Sequence, residues 1–326
     1  MYETDLIALE KKFKIHDFPL NVCIEPTNYC NLNCVMCSRD KMKRKKGIMD
    51  IRLYKKIVDE IAEVNPHTRL YHDFYGEALT TKFKLFYMLN YAKKKGLTNI
   101  SINTNGTLLD EEMAEMLLDS GVDYVSFDCD GYSKEVYEKI RIGGNRDKFF
   151  KNVEYFLERA KKYKLDKIAP PVIDVKIIEM PENQHEVQQV MDYWKSKGAW
   201  TARRRMISWG GSNNHSGLQN KDFRIACGMA VGSCGIYWDG RVPLCVCDTD
   251  ENIILGDLNK DSLKDIWQRR NENFVKYHFS HEWDKLPQMC QNCQDWQIIG
   301  EERFDEHGNP INKNYKDKSN LWEDKN

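Results

Sequence analysis

The chain contains no apolar run of the roughly 18 residues that a membrane-spanning helix needs. It does not open like a secretory leader either: Met-Tyr-Glu-Thr-Asp at positions 1–5 has neither a basic start nor an apolar stretch. An excess of one charge sign is also missing. Its 49 Lys and Arg against 50 Asp and Glu leave a net charge of −1 over 326 residues, which gives no general attraction to nucleic acid or to a membrane surface. The short basic runs at Lys41–Lys46 and Arg203–Arg205 read as solvated faces. What the chain has in quantity is cysteine, 11 in all. An odd number without a leader argues against a disulfide framework and for reduced thiols in the cytoplasm, with metal ligation as their use.

From about residue 18 to 212 strand and helix signals alternate. β-prone runs fall at Leu20–Ile24, Leu70–Phe74, Asn99–Asn103, Tyr124–Asp128, Val172–Ile178 and Ala202–Ser208. Between them apolar residues recur at helical spacing: Tyr54, Ile57, Val58 and Ile61; Leu85, Met88, Leu89 and Ala92; Phe149, Val153, Phe156 and Leu157; Val187, Val190, Met191 and Trp194. Six such units predict an α/β fold with a parallel sheet and right-handed crossovers, too few for a closed eight-stranded barrel. The expectation is a partial (β/α)6 TIM-type barrel, with its chemistry at the C-terminal ends of the strands. After Asn213–Gly217, a loop by composition, the pattern changes. Asp239-Gly240 between two β-prone runs signals a hairpin, and Ser262–Asn273 reads as a helix.

Directly after the first strand run stand Cys30, Cys34 and Cys37, spaced C-x3-C-x2-C. A [4Fe–4S] cluster takes four ligands, so three cysteines on one loop leave one iron open to a ligand that is not protein. An incomplete zinc site is the alternative for such a triplet.

The triplet, with the segments that follow it in strand order, resembles the radical S-adenosylmethionine (SAM) enzymes. In that family the amino acid end of SAM chelates the open iron, and its reductive cleavage yields a 5′-deoxyadenosyl radical. Gly76-Glu77 after the second run resembles the family's Gly-Gly-Glu segment, which meets the SAM amino group; Tyr75 and Ala78 depart from the usual neighbours. Asn103-Thr104-Asn105-Gly106 resembles the turn near the SAM ribose, and Ser126-Phe127-Asp128 resembles a segment lining the SAM pocket. Met36 occupies a position that is often aromatic and lies near adenine. The resemblance thus implies Met36, Gly76, Glu77, Asn103, Thr104, Asn105, Ser126 and Asp128 as cofactor-binding residues.

Cys227, Gly240 and Cys245, followed by Cys290-x2-Cys293, resemble the auxiliary iron–sulfur modules called SPASM and twitch. No cysteine follows Cys293, so the shorter twitch form with one [4Fe–4S] is implied, with Cys227, Cys245, Cys290 and Cys293 as ligands. Cys234 and Cys247 are alternatives to Cys227 and Cys245, and a rubredoxin-like zinc site is the alternative for the whole group. The expected division is an N-terminal extension over 1–17, the barrel over 18–212, a twitch-like auxiliary subdomain over 213–300 and a polar tail over 301–326.

The spacing resembles that of 2-deoxy-scyllo-inosamine dehydrogenase and of radical SAM sugar and cyclitol epimerases. It implies hydrogen abstraction from a hydroxyl-bearing carbon of a small sugar, aminocyclitol or nucleoside. Oxidation would pass an electron to the auxiliary cluster, whereas epimerisation would take a hydrogen atom from a cysteine. Among the spare cysteines Cys23, Cys129, Cys234 and Cys247, Cys129 follows a strand end and is the leading donor candidate. Strand alternation sends Arg204 to one face and Arg203 with Arg205 to the other; one face points into the barrel, so at least one arginine is expected to meet the substrate, with Arg204 the candidate. Glu179, at the end of the fifth run, is a candidate base, and His72 and Asp73 end the second. A reducing partner such as flavodoxin or ferredoxin is implied. Two other readings remain: a peptide or protein maturase, for which the segment ahead of Cys30 is short, and a non-catalytic zinc or iron–sulfur scaffold.

Overall fold

The computed structural model describes residues 3–163, 170–211 and 223–298. The loop read at Asn213–Gly217 and the polar tail from Glu301 lie outside those residues. None of the described helices is long and apolar enough to cross a membrane.

The expected strand–helix alternation forms a parallel sheet. Its strands are β1 (Asn21–Ile24), β2 (Arg69–Tyr71), β3 (Ile100–Thr104), β4 (Tyr124–Asp128), β5 (Val172–Glu179) and β6 (Trp200–Arg205). The helices that cover it include α2 (Ile51–Val64), α3 (Phe83–Lys94), α4 (Glu111–Asp119), α6 (Arg146–Lys162) and α7 (Val187–Ser196). Local chemistry sets their starts. The carboxylate of Asp50 accepts from the N–H of Arg52 at the head of α2, the Asp110 carboxylate accepts from Met113 N–H at the head of α4, and the Asn145 amide oxygen accepts from Lys148 N–H at the head of α6. The four apolar faces read from helical spacing are all buried. Helix α1 (Glu3–Glu10) and helix α5 (Lys134–Ile140) were not among the expected elements.

Six strands were expected, and among the described residues the sheet has seven, in the order β6-β5-β4-β3-β2-β1-β7. The seventh, β7 (Ser233–Ile236), comes from the segment assigned to the auxiliary subdomain and pairs in parallel with β1, Val22 opposite Cys234 and Ile24 opposite Ile236. The Asp239-Gly240 turn does form, with Gly240 N–H on Tyr237 O at 2.9 Å. It does not make a simple two-stranded hairpin, because β7 is taken by the barrel edge. Strand β8 (Arg241–Pro243) pairs antiparallel with β9 (Ile254–Asp257) instead. The helix expected over Ser262–Asn273 is α9 (Leu263–Arg270), capped by the Ser262 hydroxyl and continued by a π-helical turn, Asn271–Val275.

Alternation divides the barrel into two environments. Val22, Ile24, Leu70, Ile100, Ile102, Val125, Phe127, Ile173, Val175 and Ile177 face outward and join the helices in one apolar core. The inward positions are polar and bond across strands. The Asn103 amide donates to Asp128 at 2.9 Å, and the Tyr124 hydroxyl donates to Asp174. Arg69 and Lys176 lie 5.5 and 5.7 Å from the Tyr124 ring centre. Polar groups therefore dominate the interior, within a hydrophobic jacket.

Candidate active site

The cysteine loop hangs from the end of β1 and is held from three sides. Asn28 donates to Lys45 O at 2.9 Å and accepts from Gly47 N–H at 2.8 Å, and Thr27 donates to Gly47 O at 2.8 Å. In the basic run read as solvated, Arg44 is instead buried. It forms a two-point pair with Glu25 at 2.9 and 2.6 Å and stacks 3.9 Å over Tyr237.

Cys30, Cys34 and Cys37 come together with N–H groups aimed at their sulfurs. Leu32 N–H lies 3.4 Å from Cys30 Sγ, Arg39 N–H 3.5 Å from Cys37 Sγ, and an Arg141 N–H 3.7 Å from Cys34 Sγ. Burial pushes all three thiols up, Cys34 to about 11. Coordination to iron removes that proton outright, and the N–H groups then face thiolates. Among the described residues no three His, Cys, Asp or Glu side chains converge on a single-ion site. Three cysteines on one loop supply three of the four ligands of a [4Fe–4S] cluster.

The other strand ends close around the loop. The carboxylate of Glu77 is buried and accepts from Leu79 N–H (3.1 Å), the Thr104 hydroxyl (2.8 Å) and Asn105 N–H (2.9 Å). It staples the β2 end to the β3 end. At Gly76 a Cβ would run into the carbonyls of Thr27 and Tyr29, which leaves glycine alone able to sit there. Asn105 in turn donates to Asn31 on the cysteine loop at 3.1 Å. Asn103 Oδ1 and Ser126 Oγ are buried without hydrogen-bond partners, as is expected of groups that await a ligand. Met36 packs with Met180, Met206 and Ile140, an apolar patch against Cys34.

Sequence reasoning missed Arg141. Its buried guanidinium bonds Asp130 at 2.5 Å and reaches Asp128 at 3.6 Å, tying the β4 end to Cys34. No local pattern announces it, because its partners lie on another element.

Two of the three residues named as catalytic are placed elsewhere. Cys129 continues the outward parity of Val125 and Phe127. It is fully buried in the outer core, its thiol donates to Gly131 O at 3.4 Å, and burial pushes it up to about 12. It does not face the barrel interior and is not placed to give a hydrogen atom there. Glu179 shares the outward parity of Ile177. It pairs at 2.9 Å with Arg203 on the surface, where their side chains are 30% and 42% exposed, so it is no interior base. Arg204 has the inward parity and is among the charges felt by Asp73. Asp73 lies just past β2; its Oδ1 is buried without a hydrogen-bond partner, and burial raises it to about 7. His72 points the other way and bonds the Tyr54 hydroxyl at 2.8 Å in the core. Of the remaining spare cysteines, Cys234 sits in the outer core, Cys247 lies behind Cys245 with its N–H 3.4 Å from that sulfur, and Cys23 has the inward parity on β1.

Cys227, Cys245, Cys290 and Cys293 line a single cavity, which neither Cys234 nor Cys247 lines. Cys227 caps α8 (Gly228–Gly232), Cys245 follows β8, and Cys290 and Cys293 lie in and at the end of α11 (Gln288–Asn292). Burial pushes Cys227 to about 11 and Cys290 to about 12. An aromatic bridge joins the two cysteine sites. Trp209 Nε1–H donates to Met36 O at 3.0 Å, Trp209 and Tyr75 have ring centres 5.6 Å apart, and the Tyr75 hydroxyl donates to Val246 O at 2.8 Å.

A partial parallel barrel with three cysteines at the mouth and four more around a second cavity defines an enzyme built on two iron–sulfur sites. Residues 24–191 match the Radical SAM superfamily, and the chain belongs to it; residues 227–294 match SPASM, an iron–sulfur cluster-binding domain. The chain is 30% identical over 179 residues to the tungsten-containing aldehyde ferredoxin oxidoreductase cofactor-modifying protein of Pyrococcus furiosus, covering 54% of this chain and 48% of that protein. It is 28% identical over 187 residues to a probable GTP 3',8-cyclase of Methanococcus maripaludis, 57% of each. The chain thus spans about half the length of the curated relatives it matches. Among solved structures, BtrN in complex with AdoMet and 2-DOIA superposes with a TM-score of 0.61 at 18% identity, covering 89% of this chain and 98% of that one. SuiB of Streptococcus suis bound to the precursor peptide SuiA gives 0.63 at 14% identity, covering 81% and 68%. At these identities the likeness is one of fold.

Proposed function

We propose that this enzyme removes a hydrogen atom from a hydroxyl-bearing carbon of a small polar substrate of the sugar, aminocyclitol or nucleoside type, and oxidises it. The observation that carries the reading is a set of inward-facing polar atoms: Asp73 Oδ1, Ser101 Oγ, Asn103 Oδ1 and Ser126 Oγ are buried with no hydrogen-bond partner. Unsatisfied groups of that kind match a ligand rich in hydroxyls, and an apolar substrate would leave them stranded. SAM, when bound, would supply the hydrogen-abstracting radical on one-electron reduction. The chain's own part is to orient and to move protons. Cys30, Cys34 and Cys37 would hold the first cluster. Asn103 and Ser126 would meet SAM hydroxyls, Met36 would pack near adenine, and Arg204 would position the substrate. Asp73 would accept the proton of the hydroxyl on the carbon being oxidised. Cys227, Cys245, Cys290 and Cys293 would hold the auxiliary cluster that receives the second electron. The first electron would come from a flavodoxin or ferredoxin in a reducing cytoplasm.

The test is anaerobic incubation of the reduced, reconstituted enzyme with SAM and a panel of aminocyclitols, sugars and nucleosides in deuterated buffer. Substrate-dependent deoxyadenosine with a product two mass units lighter is the expected result. A product one unit heavier, with deuterium on carbon, would make the reaction an epimerisation and Cys23 its inward-facing donor. Deoxyadenosine release only with peptides would overturn the small-substrate reading.

A further inference from the structure

Arg270, the last residue of α9, is a charge without a counter-charge. It is 2% exposed, and among the described residues no carboxylate pairs with it. Its N–H groups go to backbone carbonyls: Leu244 O at 3.1 Å, Ala230 O at 2.6 Å, Ser233 O at 3.4 Å and Met229 O at 3.5 Å. The guanidinium stacks 4.5 Å over Trp267, whose Nε1–H is fixed on His16 O at 2.7 Å. Carbonyls satisfy the donors but do not neutralise the charge, and a guanidinium does not give up its proton in a protein. Burying it unpaired is strongly unfavourable.

The side chain lines the cavity of Cys227, Cys245, Cys290 and Cys293. The other charged groups here are Arg224, which donates to Cys290 O at 2.7 Å, and Asp295, whose carboxylate is held by Ser208 N–H at 2.5 Å and Gly210 N–H at 3.0 Å. Two guanidinium groups thus stand against one carboxylate. The chain turns from α to π geometry immediately after Arg270, a local widening that is frequent at functional positions.

We propose that Arg270 is the built-in counter-ion of the auxiliary cluster and holds its reduction potential high enough to take the substrate's electron. The four-cysteine cluster is the anion the structure offers to Arg270. One-electron reduction adds one negative charge to it, so a fixed cation stabilises the reduced form more than the oxidised form. The inference rests on an auxiliary [4Fe–4S] at these four cysteines and, for the source of the electron, on the oxidation proposed above; the potential itself is read without substrate.

The experiment is a mediated reductive titration of the full-length, reconstituted enzyme followed by EPR, with the radical SAM cluster as internal reference. Arg270→Gln should make the auxiliary couple harder to reduce by at least tenfold in equilibrium constant, about 59 mV for one electron. The reference couple should stay in place, and Arg270→Lys, which keeps the charge, should stay near wild type. An unshifted auxiliary couple in Arg270→Gln with its iron retained overturns the proposal. Should Arg270→Gln shed its auxiliary iron, Arg270→Lys decides. A wild-type potential there supports the proposal. A tenfold fall with the charge kept, or loss of auxiliary iron from both variants, overturns it in favour of a purely structural arginine.

Discussion

Asp73 and Glu77 are four positions apart on one strand end, and their surroundings give them opposite tasks. The Glu77 carboxylate is saturated by two N–H groups and a hydroxyl. Glu77→Gln would turn an amide N–H₂ toward those donors and should cost about 1–3 kcal/mol, read as a fall in denaturation midpoint. Asp73 has an open oxygen and a carboxyl raised to about 7 by burial. As a base it works only when deprotonated, so turnover should rise with pH through about 7 and level off above it. Asp73→Asn should abolish that limb and lower product formation by on the order of 10²- to 10⁴-fold, while SAM cleavage without substrate continues. The cysteine triplet and the Asn103–Gly106 turn were legible because their information is local, a spacing or a turn. Cys129 and Glu179 were misplaced because both were read as strand-end residues without following parity. Alternation runs on from Ser126 and Asp128 inward to Phe127 and Cys129 outward. Arg141, Arg44 and Arg270 left no signal, since each is buried by partners far away in sequence.

At the level of elements, helical spacing predicted the buried faces of α2, α3, α6 and α7, because a single stripe against a sheet is enough to write the pattern. Helix α1 carries too few apolar residues to announce itself, yet it is anchored at its middle and at its C-terminal end. Leu6 is fully buried against Ile225 and Trp296, and Glu10 accepts from Ala226 N–H at 2.5 Å. These contacts flank Cys227 and Cys293. Leu6→Ala should cost about 2–5 kcal/mol locally and loosen the auxiliary site first. Iron analysis with EPR should then show auxiliary iron lost before that of the radical SAM site.

Across the whole molecule, one ion pair fastens three segments. Arg44 from the cysteine loop holds Glu25 after β1 and donates to Thr249 O at 2.8 Å, and Glu25 accepts from Trp238 N–H at 3.0 Å. Breaking it with Arg44→Leu strands a buried carboxylate and should cost roughly 3–5 kcal/mol. The thermal transition should drop and both clusters should become labile, which separates this variant from Leu6→Ala.

The seventh strand bears on how the molecule comes into being. During synthesis β1 and its cysteine loop leave the ribosome early, but their outer edge is paired only when residues 233–236 follow. Until then a bare strand edge, inviting association with other chains, lies next to three nascent thiols. The barrel is thus finished by the part of the chain that belongs to the second cluster. Neither half is a natural stopping point for a shorter enzyme, and metal loading at the mouth belongs after translation has passed β7.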